Sequence, residues 1–394
     1  MAAVATSSPA LRWRIWTTTR LFLVGLVVLY QMLDVEPRPS AGRLLESMIF
    51  GFSPMHWEQF TIESVGLLLL DLAAIGFLVV FGANVGSFLN VVAYRVPQGM
   101  SVVFGGSHCP ICGRAIRPWH NLPVVGWLML GGRCRDCLVP IPVRYPLVEA
   151  VAAVVIGGVS SVELLSGGIN LPVGNEVSQG LWWRGVDSLL MQPNWRLVAI
   201  CLLHVWGLAT LLAWSLIERD HQRLPGGWWL GSLILLVALQ IAAPWLQPAG
   251  LSLLGDWLGP VATQPPPAWQ AAGLAGLTGI LTGWLLGVLL KKLQFSGSLA
   301  GPGLALVGGL CGWQATVTTA VLWVSTSALR IGLRHLVAIG MRQKLSAEQD
   351  DWLATPRLLL ADLVAALTLQ LLTWRWLDGF ARGLFERLVL MLQW

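Results

Sequence analysis

Long apolar runs alternate with short segments rich in arginine, proline and glycine along most of the 394 residues. A run of about 20 apolar residues, rising 1.5 Å per residue, crosses a hydrocarbon core of about 30 Å. Eight runs approach that description: 21–33, 65–80 with an extension through Gly86-Ser87-Phe88-Leu89-Asn90, one starting at Pro146, 196–217, 227–246, 268–290, 303–325 and 357–374. Residues 326–345 read as a further short span or a surface helix, and 375–394 as an amphipathic tail with Arg and Glu among Leu and Phe. The pattern predicts an all-α polytopic transmembrane helix bundle of about eight spans with a small extramembrane lobe.

Composition agrees. Hydrophobic residues make up 55% of the chain, charged residues 11%, and the mean hydropathy is +0.68. A soluble domain carries roughly 25% charged residues, so this chain has too few to coat a water-exposed surface. The net charge of +5 lies mostly in loops, where it reports topology and not nucleic-acid binding. Many of the 22 tryptophans stand near the ends of apolar runs, as interfacial anchors do.

The chemistry concentrates between Phe81 and Glu149. Two Cys-x-x-Cys pairs, Cys109/Cys112 and Cys134/Cys137, are separated by 21 residues, just past the usual zinc-ribbon interval. Two such turns bring four sulfurs to one tetrahedral ion, zinc or another soft metal; two disulfides are the alternative. Arg95, Arg114, Arg117, Arg133, Arg135 and Arg144 face a single acid, Asp136, which places this loop on the reducing cytoplasmic side. Cys201 and Cys311, inside apolar runs, read as small core residues. His108, His120 and His221 read as solvated loop residues, while His204 and His335 have no evident role. Asp71, in the middle of an apolar run, reads as a polar contact between helices. Asn90 and Arg95 read as fixing a helix end, and Glu149 suits the first turn of a helix through the dipole.

Gly86-Ser-Phe-Leu-Asn-Val-Val-Ala-Tyr-Arg-Val-Pro97, Cys109-Pro-Ile-Cys-Gly113, Gly132-Arg-Cys-Arg-Asp-Cys137 and Arg144-Tyr-Pro-Leu-Val-Glu149 resemble the N-terminal part of type IV prepilin peptidases. The resemblance extends over about residues 65–345. It implies a multi-pass protein of the bacterial inner membrane that cleaves, and in many members N-methylates with S-adenosylmethionine, the precursors of type IV pilins and type II secretion pseudopilins. Its partners would be those precursors and the lipid bilayer. Outside the resemblance, the basic residues before the apolar run 21–33 read as an uncleaved signal-anchor helix followed by an outer loop, so the divisions are an N-terminal extension (1–64), a first core helix with the cysteine lobe (65–145), a peptidase-like transmembrane core (146–345) and a C-terminal helix and tail (346–394).

The same resemblance locates two catalytic aspartates. The first precedes a proline by seven residues; here Ile217-Glu218-Arg219-Asp220-His221-Gln222-Arg223-Leu224-Pro225 keeps the anchors but holds Glu218 at that position. The second belongs to a Gly-x-Gly-Asp motif; counting back from Gly312-Trp313-Gln314 puts Ala300 there, or Leu304 in the register of Gly301-Pro302-Gly303. Between Asp256 and Glu348 there is no Asp or Glu in either register. An aspartic peptidase needs two carboxylates sharing one proton, so the expectation is an impaired or inactive peptidase. The alternatives are an active, atypical enzyme using Glu218 with Asp220, a methyltransferase without peptidase activity, or a pilin-binding assembly factor. A transporter would show internal repeats with broken, charged helices, and neither repeat nor a use for the cysteine loop supports one.

Overall fold

The computed structural model describes residues 62–104, 106–172, 185–191, 193–246, 268–293, 296–340 and 359–392, and the regular structure among these residues is helical, with no extended strand. In chain order the helices are α1 (Ile62–Arg95), α2 (Val125–Met129), α3 (Arg144–Leu165), α4 (Gly185–Met191), α5 (Trp195–Arg219), α6 (Gly226–Ala242), α7 (Ala268–Lys292), α8 (Ala300–Gly340) and α9 (Leu360–Leu392). Among the described residues α1, α3, α5, α7 and α8 are long and apolar enough to cross a membrane, and α6 is a shorter apolar helix. The apolar run 21–33 lies outside the described residues. The first long run continues through the Gly-Ser-Phe-Leu-Asn segment, because no proline interrupts it before Pro97.

One expected span takes a different form. Residues 303–325 do not make a straight helix: α8 breaks at Gly312, whose φ of 83° and ψ of 172° lie outside the helical region. That left-handed φ suits a residue without a Cβ. The limb 300–311 runs along α7, with Gly308 so close to Gly279 that a side chain on either would collide with the other's backbone. The limb 313–340 instead pairs with α9, antiparallel, through Thr318 to Gln370 (2.7 Å) and Ser327 to Asp362 (2.6 Å). Side chains from the start of α9, Leu360 and Leu363, also lie against Gly303 near the start of the first limb. The start of one limb and the middle of the other therefore share a level, and the chain reverses at Gly312. The first limb spans only about 18 Å, short of a bilayer core.

The core lies where α5, α8 and the first half of α9 meet. Leu208, Leu211, Leu304, Leu306, Leu363 and Leu367 have no exposed surface. By contrast α1 leans on α3 and leaves Leu69, Phe77 and Val80 exposed, as a lipid-facing helix does. Asp71 makes the interhelical contact expected of it: its Oδ1 accepts the N–H of Val186 at 2.7 Å, capping α4. Charged ends at Arg95, Arg144 and Arg219 gather on one side of the bundle, and the cysteine lobe hangs from that side between α1 and α3.

Candidate active site

The two cysteine pairs build matching turns. Gly113 N–H donates to Cys109 O at 2.8 Å, and Leu138 N–H to Cys134 O at 3.0 Å. Short antiparallel bridges, His108 with Ala115 and Arg133 with Pro140, close each turn. Gly113 and Leu138 occupy equivalent positions and both are left-handed, at φ 68° and 57°, so the second turn places an ordinary side chain where the first has glycine. The four sulfurs lie within 4.8 Å of one another, none is in a disulfide, and Cys109 Sγ stands 3.8 Å from Cys137 Sγ. Sulfurs bound at about 2.3 Å to one tetrahedral ion stand about 3.8 Å apart. The spacing therefore fits a metal. His108 is not drawn into the cluster; its Nδ1 lies 3.0 Å from Gly106 O.

The sulfurs are electrostatically unequal. The Cys112 and Ile111 N–H groups, donating to Cys109, pull its thiol down to about 6. At Cys137 the Val139 N–H favours the thiolate, but desolvation and the three neighbouring thiols outweigh it and push the group up to about 12. Four close thiols share few ionised forms until a cation replaces their protons.

Glu149 carries the lobe. Its carboxylate accepts the N–H of Val124 at 2.6 Å, and its backbone lies so close to Gly86 that a side chain there would collide with it, so one residue of α3 joins α1 to the residue that opens α2. Val124 is held at φ 60°, an uncommon conformation for a β-branched residue. Asn90 Nδ2 donates to Tyr145 O at 3.3 Å, and Arg95 Nη1 to Ser101 O and Phe104 O, both at 3.1 Å. The helix-end role assigned to Asn90 and Arg95 matches these contacts.

The carboxylate site lies on the same side of the bundle. Glu218, in the last turn of α5, accepts the N–H of Leu360 at 3.3 Å through Oε2. Its Oε1 presses on Gly297, where a side chain would collide with it. Gly297 is three residues ahead of Ala300, so the two positions singled out for catalysis come to one turn, and Ala300 is only 2% exposed. Asp220 does not join them. It ends α5 and accepts Arg144 Nη1 at 2.6 Å. Residues two apart on a helix face different ways, and the two carboxylates take different partners.

Two acid sites had not been singled out from the sequence. Asp362 sits beside Leu360, receives the Ser327 hydroxyl at 2.6 Å and Arg330 Nε at 3.0 Å, and accepts Leu359 N–H at 3.4 Å. It and Glu218 thus accept from successive amides at the start of α9. With both oxygens engaged by Arg330, Asp362 serves as an ion-pair partner and not as a proton-sharing one. Deeper in the bundle, Glu163 of α3 and His204 of α5 form a 2.7 Å contact with both side chains 0% exposed. Among the described residues Glu163 Oε2 and His204 Nε2 have no hydrogen-bond partner, and the His204 ring leans on Trp374 at 5.9 Å between centroids. The one available signal for this pair was a charged residue on each of two apolar runs.

Comparison with known proteins accords with this geometry. The sequence model of the bacterial peptidase A24 N-terminal domain matches residues 80–162, which hold the second half of α1, the lobe and most of α3. The prepilin leader peptidase/N-methyltransferase of Pseudomonas aeruginosa is 31% identical over 292 residues, covering 58% of this chain and 87% of that protein. The type 4 prepilin-like proteins leader peptide-processing enzyme of Escherichia coli is 31% identical over 278 residues, covering 60% of this chain and 82% of its own. In Myxococcus xanthus a prepilin leader peptidase/N-methyltransferase is 56% identical over 73 residues, 18% of this chain and 22% of that protein. No solved structure matches.

Proposed function

Because the chain belongs to the prepilin leader peptidase/N-methyltransferase family, we propose that it engages type IV pilin or pseudopilin precursors at the inner membrane with an impaired peptidase site. The observation that carries this reading is a carboxylate without a proton-sharing partner: Glu218 meets Gly297 and the turn into Ala300, while Asp220 is paired with Arg144 and Asp362 with Arg330. In an aspartic peptidase one carboxylate activates water while its neighbour holds the proton that polarises the peptide carbonyl. Ala300 offers a methyl group in the neighbour's place, and Glu218 is longer than aspartate by one methylene.

In this reading zinc is the ion at Cys109, Cys112, Cys134 and Cys137. It supplies a cross-link that orders the lobe, and the lobe faces the cytoplasm. S-adenosylmethionine, the methyl donor that the relatives' names imply, would be taken on that same side; no residue here is assigned to it. The observations favour a precursor-binding relative over an enzyme rebuilt on Glu218 and Asp220, since those side chains diverge.

The test is a purified preparation in detergent mixed with a pilin-type precursor, scored for leader cleavage and for retention of the precursor. Retention without cleavage is the expected result. Cleavage that disappears in Glu218→Ala would overturn the proposal, and failure to retain the precursor would reduce the inheritance to the fold.

A further inference from the structure

Residues 122–132 carry no charge, although arginines crowd the rest of the lobe. Leu122, Val125, Leu128 and Met129 are spaced three or four apart, fall on one face of α2 and its approach, and are 50%, 50%, 63% and 61% exposed. The opposite face is tied down: Gly126 packs on the His120 backbone, and Trp127 Nε1 donates to Ile141 O at 3.0 Å. A small lobe in water does not gather four large exposed side chains on one rigid face without a partner.

Depth identifies the partner. Val124, which opens α2, is bonded to Glu149, whose backbone lies against Gly86 of α1. Glu149 is five residues, about 7.5 Å of helix rise, inward from Arg144, and Gly86 is nine residues, about 13.5 Å, inward from Arg95. Arg95 and Arg144 are the charged residues that end the apolar stretches of α1 and α3 on this side. The start of α2 therefore stands one to two turns inside the charged boundary, beside helices whose own outer faces are exposed and apolar, among them Leu147, Val151 and Val154 of α3. Surface-bound apolar helices lie about 5–10 Å into the headgroup and acyl boundary.

We propose that the 122–130 segment is a membrane anchor: its exposed face lies among the lipid acyl chains of the leaflet on the lobe's side and seats the cysteine lobe on the bilayer. The backbone is compatible with that depth, since Gly126, Leu128 and Leu130 N–H groups all bond within the segment. Arg114, Arg117, Arg133 and Arg135 stay exposed in the same lobe, where they face water or lipid phosphate. The inference rests on α1 and α3 crossing a membrane, not on the state of the peptidase site.

The experiment places a spin label on p-acetylphenylalanine introduced at Leu128 or, separately, at Met129 in the full chain. The protein is then reconstituted in lipid nanodiscs and read by power saturation with oxygen and with a water-soluble nickel chelate. Labels at Val80, on the exposed face of α1 and about 22 Å of helix rise from Arg95, and at Arg135, exposed between two cysteines, give the bilayer and aqueous references. The expected result is loss of nickel accessibility at 128 and 129 to the level at 80, with oxygen accessibility kept. Nickel accessibility equal to that at 135 would overturn the anchor. Shielding from both reagents would overturn the lipid as occupant in favour of a protein partner. Retained metal content in each labelled protein shows that the lobe is folded, and two label positions guard against the failure of one.

Discussion

If the missing second carboxylate limits this protein as a peptidase, Ala300→Asp should restore cleavage. General acid–base work by a positioned group contributes about 10²–10⁴-fold, and displacing a reacting group by an ångström costs about 10²-fold. A site holding Glu218 alone is then about 10⁴–10⁶-fold below a complete pair, or about 5–8 kcal/mol of barrier. A carboxyl at position 300 would stand beside the turn that touches Glu218, and two carboxyls that close hold a single proton between them. Crowding is the opposing term: Ala300 is 2% exposed, and added atoms in a closed site cost about 1–3 kcal/mol. The gain exceeds that cost, so Ala300→Asp should raise precursor cleavage by about 10²-fold or more. Adding Glu218→Asp to it should gain about 10² again. Leader cleavage followed by mass spectrometry gives the rate, and thermal unfolding in detergent shows whether the variant is folded. A folded double variant that cleaves no faster than the parent would refute the reasoning and show that parts beyond the second carboxylate are missing.

Leu138→Gly should tighten metal binding by several-fold in chelator competition, because a left-handed residue with a Cβ costs about 1–2 kcal/mol and Leu138, 65% exposed, gives up little packing. Metal should be stripped more readily as the pH falls through about 6, where Cys109 takes up its proton again; colour release with a zinc indicator across pH 5 to 8, values set around that point, reads this directly. The sign follows from a depressed thiol pKa: the thiolate exists above about 6 and is lost below it. Glu163→Ala should destabilise the bundle by about 3–5 kcal/mol by orphaning His204, whereas Glu163→Gln keeps a bond to Nδ1 and should cost less. Equal melting temperatures for those two variants would show that the pair does not hold α3 to α5.

The lobe and the first carboxylate were legible in sequence because both are local. Cys-x-x-Cys fixes two sulfurs within one turn, and Glu218 was located by the resemblance through its interval before Pro225, so neither position needed long-range information. The reversal at Gly312 had no such signature. The apolar run continues through it without a charge, and only one residue leaves the helical region, so a run that reads as one span becomes two limbs. Glu163 and His204 are 41 residues apart on separate helices, and nothing within either helix shows that they face each other. Asp362 lies beyond the stretch in which a second acid was sought, and α9 folds back to bring it near Glu218. The apolar run in the cysteine loop was too short to suggest a membrane contact until the bond from Glu149 to Val124 fixed its depth.

Arg144 joins the two parts of the molecule that carry chemistry. The second cysteine turn ends in Ile141, whose N–H donates to Gly132 O at 2.7 Å and whose carbonyl receives Trp127, and Arg144 follows three residues later as the start of α3. Its guanidinium takes Asp220, two residues past Glu218. The pair is about a third exposed on either side, so it adds at most about 1 kcal/mol to stability. Its effect is geometric. At 3.6 residues per turn, side chains two apart point about 200° from each other, so holding Asp220 toward α3 turns Glu218 away from α3, toward Gly297 and the start of α9. Arg144, three residues beyond the second cysteine turn, thus marks the α3 side of the end of α5, and Glu218 stands on the other side.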